Sequence, residues 1–106
     1  MTLRPLAIPL ALAATLAANT AFADVIDGAW CHDKHGRMVI AGPSIVTPAG
    51  SRTQGDYTRH SFSYVVPSGD PGAGGTIQMM LLNEEAVRVH DGGGEETWHR
   101  CGPSIS

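Results

Sequence analysis

Hydrophobic and polar residues alternate with a period of two along much of the chain after residue 27, and no apolar repeat of helical period persists for three turns. The clearest case lies between Tyr57 and Val66, where His60, Phe62, Tyr64 and Val66 share one face of an extended segment, opposite Arg59, Ser61 and Ser63. Val87 and Val89 likewise oppose Arg88 and His90. Divided at its turn residues, the pattern predicts seven strands: Gly28–His32, Arg37–Ala41, Ser44–Thr47, Tyr57–Val66, Thr76–Leu82, Glu85–His90 and Glu95–Cys101. The intervening segments carry turn chemistry: Asp33-Lys34-His35-Gly36, Gly42-Pro43, Pro67–Gly75, Asn83-Glu84 and Asp91-Gly92-Gly93-Gly94. Connections this short give an all-β antiparallel meander, either closed as a small barrel or left as a curled sheet.

The parity of the two end strands is informative. Trp30 and Cys31 face opposite ways, and Trp98 shares a face with Arg100 while His99 and Cys101 share the other. With both tryptophans inward, both cysteines lie outward, where a bond between neighbouring first and last strands would close the structure.

The first residues change the picture of where this domain works. Arg4, the apolar run Leu6–Ala18 and the small-residue pattern Ala21-Phe22-Ala23 read as a secretory leader cleaved after Ala23. The run contains Pro9 and ends at Asn19-Thr20, short of the roughly 20 apolar residues of a membrane span. Residues 1–23 are therefore expected to be a signal peptide and residues 24–106 one small β-barrel-like domain, placed in a bacterial periplasm or outside the cell with no membrane span after cleavage. In that compartment two cysteines pair by default, and the bond would close a loop of about 70 residues, a stabilisation of roughly 4–5 kcal/mol in the chain-entropy model. Without Arg4, six basic side chains face ten acidic ones. That balance argues against nucleic acid and anionic membrane surfaces as partners.

Gly28-Ala29-Trp30 resembles the G-x-W that opens the first strand of lipocalin-like (calycin) barrels. The resemblance implies a β-barrel holding a small ligand, with an arginine near the C-terminal end packed across that tryptophan; Arg100 is the counterpart here. The tail Trp98-His99-Arg100-Cys101 is also similar to the W-x-R-C ending of uncharacterised small secreted bacterial proteins, a resemblance that implies no activity.

Candidate chemistry is confined to the histidines. With strands running simply up and down, His32, Asp33, His35, His60 and His99 gather on one rim and His90 lies at the other end. Imidazoles with a carboxylate suit Zn²⁺ or Cu²⁺, and the H-x-x-H of the first turn is compatible with two ligands to one ion. Met79 and Met80 are adjacent and face opposite sides, so they do not form a thioether pair. Nucleophile elbows and phosphate-cradling glycine loops are absent from the sequence, and the acidic residues fall mainly in turns, so catalysis is not expected. The sequence thus points first to a non-enzymatic binding module for a small ligand or a protein partner. A histidine-rim metal-binding protein and a structural accessory subunit of an envelope assembly stand as alternatives.

Overall fold

The computed structural model describes residues 25–102, and every regular element among them is a β-strand. The leader, its cleavage site and the last four residues lie outside the described residues. The strands are β1 (Gly28–His32), β2 (Gly36–Ala41), β3 (Ser44–Val46), β4 (Arg52–Gln54), β5 (Asp56–Thr58), β6 (Ser61–Val65), β7 (Thr76–Asn83), β8 (Ala86–His90) and β9 (Glu95–Arg100). They form one antiparallel sheet in the order β4-β3-β2-β1-β9-β8-β7-β6-β5. Two meanders therefore meet where β1 pairs with β9, through Trp30↔Arg100 and Cys31↔His99.

There are nine strands rather than seven, for two reasons. Arg52–Gln54 pairs with β3, although its short polar sequence carries no alternation. The segment Tyr57–Val66, expected as one strand, is a hairpin that reverses at Arg59-His60, with Tyr57 opposite Phe62 and Thr58 opposite Ser61. This turn has no glycine, proline or asparagine to announce it. Thr58 makes it: its hydroxyl accepts the His60 N–H at 3.2 Å and bonds the Ser61 hydroxyl at 2.7 Å. The same local device, a side chain accepting the N–H two residues on, caps three other hairpins: His32 with Lys34, Asn83 with Glu85 and Asp91 with Gly93.

The sheet curls into a nearly closed barrel because its two edge strands are consecutive in the chain. β4 and β5 are separated by Gly55 alone, so one extended run pairs first with β3 and then with β6. At Gly55 the chain approaches β6 so closely that a Cβ would sit 2.1 Å from the Ser63 carbonyl oxygen and 2.9 Å from both Phe62 Cε1 and Tyr64 Cβ. Only glycine fits.

Inside the barrel, alternate positions bury Trp30, Met38, Ile40, Ile45, Phe62, Tyr64, Val66, Met79, Val87 and Trp98, while Met80 points outward and is 53% exposed. Cys31 and Cys101 form a disulfide on the other parity, with Cα atoms 5.0 Å apart, clamping the short β1–β9 junction. One barrel end is sealed by residues 25–27, which lie across it. Ile26 is fully buried, its N–H donates to the Arg59 carbonyl, and its own carbonyl accepts the Trp30 indole N–H at 2.9 Å. The Asp27 carboxylate accepts the Gly42 N–H at 2.7 Å and the Tyr57 hydroxyl. Arg100 completes the seal. Its guanidinium lies 4.1 Å over the Trp30 ring and donates to the carbonyls of Val25, Asp27 and Glu84 at 2.8, 2.6 and 2.8 Å.

Two outcomes follow from this packing. Gly55→Ala should lower the melting temperature by about 10 °C or more, because overpacking against backbone lies at or beyond the upper end of the usual ~1–3 kcal/mol. Gly94→Ala, where an added Cβ meets nothing within 4 Å, should leave it nearly unchanged in the same thermal scan. The hydrogen bond to Asp27 is the main cause that raises the Tyr57 phenol above its ordinary range, followed by partial burial. A raised phenol binds its proton more tightly in the folded state. The stabilisation is therefore complete below the ordinary tyrosine value of about 10 and is lost as pH rises through the folded-state value. Tyr57→Phe should be less stable at neutral pH and lose less stability between about pH 9 and 12, as read by denaturant titration.

Candidate functional site: the open mouth of the barrel

The hidden hairpin at Arg59-His60 decides which residues meet. It reverses the direction of every strand after it relative to a seven-strand meander. The β2–β3, β5–β6 and β7–β8 turns consequently lie at the sealed end, where residues 25–27 and Arg100 touch Gly42, Arg59 and Glu84. His60 sits in the β5–β6 turn at that end, and His99 lies near it, opposite Ala86 on the outward face of β9. The expected five-residue rim is corrected accordingly: His60 and His99 are not on it. Asp33 is in the β1–β2 turn but is exposed and outside the cluster formed there. His90 is at the mouth end, paired with Glu95 across the β8–β9 hairpin.

His32, His35 and Glu96 do come together. His32 ends β1 on the inward parity of Trp30, and Glu96 lies near the start of β9 on the inward parity of Trp98. Because β1 and β9 are neighbours, the two side chains meet at the mouth, where His32 also reaches Trp98. The ring of His32 is 5.4 Å from that of Trp98, and His35 stacks on the same indole at 6.0 Å with an interplanar angle of 15°. Both imidazoles aim at a single oxygen: His32 Nε2 and His35 Nε2 lie 2.7 and 2.9 Å from Glu96 Oε1. The His32 side chain is 17% exposed and those of His35 and Glu96 are each 46% exposed. The Lys34 N–H donates to His32 Nδ1 at 3.0 Å, which assigns the neutral tautomer with the proton on Nε2, donating to Glu96.

Glu96 was absent from the sequence-derived set. The signal for it was the parity it shares with Trp98, legible only once β9 is known to start at the mouth. Asp70 carried no pattern at all, yet it ties the mouth together. Its carboxylate accepts the Thr47 and Ser51 hydroxyls, latching the β6–β7 loop to the β3–β4 loop, and Thr47 is 2% exposed.

Between these loops opens a cavity of about 650 Å³. Met38, Tyr64, Val66, Ile77, Val89 and Trp98 make its floor and walls, and Lys34, His35, Asp70, Glu95 and Glu96 its rim. Burial, with the nearby Asp70 charge adding to it, pushes the Tyr64 phenol up, so the wall presents a neutral hydroxyl at physiological pH. An apolar floor beneath a few fixed polar groups is the usual composition of a small-molecule site, and the volume falls within the common range of roughly 300–1,000 Å³.

Asp70→Ala leaves the buried Thr47 hydroxyl without its acceptor and should cost about 1–3 kcal/mol. Hydrogen exchange should show the amides of residues 47–51 and 67–75 losing protection well before the β7–β8–β9 amides, and Asp70→Asn should recover part of the effect. No protein-family model, curated protein or solved structure matches this chain.

Proposed function

We propose that this protein is an exported, disulfide-stapled β-barrel that binds a small, partly apolar molecule in its open mouth without transforming it. The observation that carries this reading is the asymmetry of the barrel. One end is sealed by residues 25–27 and Arg100, and the other holds a cavity of about 650 Å³ floored by Trp98 and Met38 under a charged rim. Such a site would hold an apolar body against the floor and orient a polar end at His35, Lys34 and Glu96. The G-x-W opening and the arginine stacked on its tryptophan support a lipocalin-like reading of the same kind. Export is supported by the disulfide, which persists in oxidising compartments, and by the leader-like segment ending at Ala23; the periplasm is the simplest destination.

The cavity is tested with an apolar fluorescent probe, anilinonaphthalene sulfonate, added to the folded, oxidised protein. One probe per chain should bind and alter Trp98 emission, as judged in a Trp30→Phe background. Val89→Trp, which fills the cavity wall, should abolish binding while keeping the native melting transition. Probe binding that is absent, or unchanged in Val89→Trp, would overturn the proposal. Native mass spectrometry of the protein released from the periplasm should show a retained small molecule.

A further inference from the structure

We propose that His32 Nε2, His35 Nε2 and Glu96 Oε1 together bind one Zn²⁺ ion at the lip of the barrel. The site shares the mouth with the cavity but does not depend on the cavity being occupied. Three observations converge on it. The three donor atoms lie within 4.8 Å of one another, and both nitrogens already point at one carboxylate oxygen at 2.7 and 2.9 Å. Tetrahedral Zn²⁺ with ligand distances of about 2.0–2.2 Å sets its donors roughly 3.3 Å apart. Inserting the ion therefore asks each imidazole to draw back from Glu96 Oε1 by about 0.4–0.6 Å, and the two ring nitrogens, which lie within 4.8 Å of each other, to settle at the same spacing.

The donors are also pre-oriented by different parts of the fold. His32 ends β1, His35 closes the β1–β2 turn, and Glu96 comes from β9, 61 residues further along the chain. Contact of both imidazole rings with Trp98 holds them at the mouth, which lowers the entropy lost on binding. Two neutral imidazoles and one carboxylate are a donor set that Zn²⁺ accepts readily, leaving a fourth position open. His35 and Glu96 also line the cavity, so the ion would lie at its edge.

The proton arrangement gives this site a signature that loose surface binding would lack. His32 now carries its proton on Nε2, and its Nδ1 accepts the Lys34 N–H at 3.0 Å. Coordination through Nε2 moves the proton to Nδ1, and the Lys34 N–H must then turn away. Zinc binding should therefore be reported by a backbone amide that is not itself a ligand.

The experiment titrates ZnCl₂ into chelator-stripped, oxidised full-domain protein, followed by native mass spectrometry and ¹⁵N–¹H NMR. One Zn²⁺ per chain should be retained, the melting temperature should rise with zinc concentration, and the Lys34 amide should shift as His32 Nδ1 gains its proton. His35→Ala and Glu96→Gln should each weaken binding by more than the roughly 10–100-fold typical of groups that only support a ligand. His90→Ala and His99→Ala should bind as the parent does. Equal affinity in the parent, His35→Ala and Glu96→Gln, or saturation without movement of the Lys34 amide, would overturn the proposal and leave Glu96 as a hydrogen-bond acceptor alone. Probe binding in the absence of metal reads the cavity separately, so the two proposals fail independently.

Discussion

The seat of Arg100 is the interaction on which the rest of the barrel depends. Its guanidinium lies over the Trp30 ring and donates to three backbone carbonyls, two from the segment that seals the barrel and one from the β7–β8 turn. Charge-assisted hydrogen bonds of this kind are each worth about 1.5–3 kcal/mol and the stacking about 0.5–2 kcal/mol, depending on burial. Arg100 therefore joins elements from both meanders at the point where only two residue pairs of β1 and β9 are in register. The space it needs comes from Gly28, whose φ of +123° few other residues adopt and where a Cβ would stand 2.7 Å from Nη1. The Cys31–Cys101 bond clamps the same junction from the outer face. Polar stacking inside and a covalent link outside hold one weak seam.

Sealing one end has a consequence at the other. The core residues fill the barrel from Ile26 up to Trp98 and Tyr64, and above that level the strands give way to loops rich in glycine that supply few apolar side chains. The glycine-rich loops leave Trp98 to be covered chiefly by the rings of His32 and His35, and the same indole lines the cavity beside them. Asp70 then has a mechanical role, bonding two hydroxyls across the mouth so that the loops stand apart in a defined position. Rim polarity and floor apolarity both follow from where the packed core stops.

Four of the hairpin turns share one solution, a side chain at or just past the strand end accepting the N–H two residues later. In three of them the acceptor is a residue commonly used for this purpose, Thr58, Asn83 or Asp91. In the first it is His32, whose second nitrogen is thereby left to face Glu96. One side chain both shapes a turn and presents a donor to the mouth.

Alternation along the chain was enough to establish an all-β fold, the inward tryptophans and the outward cysteines, because parity is a local property: it depends only on side chains two apart on an extended backbone. The pairing of first and last strands was read from the two cysteines expected to bond, and the approach of Arg100 to Trp30 from the resemblance of Gly28-Ala29-Trp30 to lipocalin-like barrels. The direction of each strand along the barrel axis is different in kind, since it depends on how many times the chain has reversed before that strand. One turn built from Thr58, Arg59, His60 and Ser61, without glycine, proline or asparagine, was enough to invert that direction for everything downstream. His60 and His99 thus moved to the sealed end, and Glu96 arrived beside His32 and His35. Gly55 and Asp70 were likewise decided only in three dimensions, because the strand one passes and the loops the other joins are brought to them by closure of the barrel.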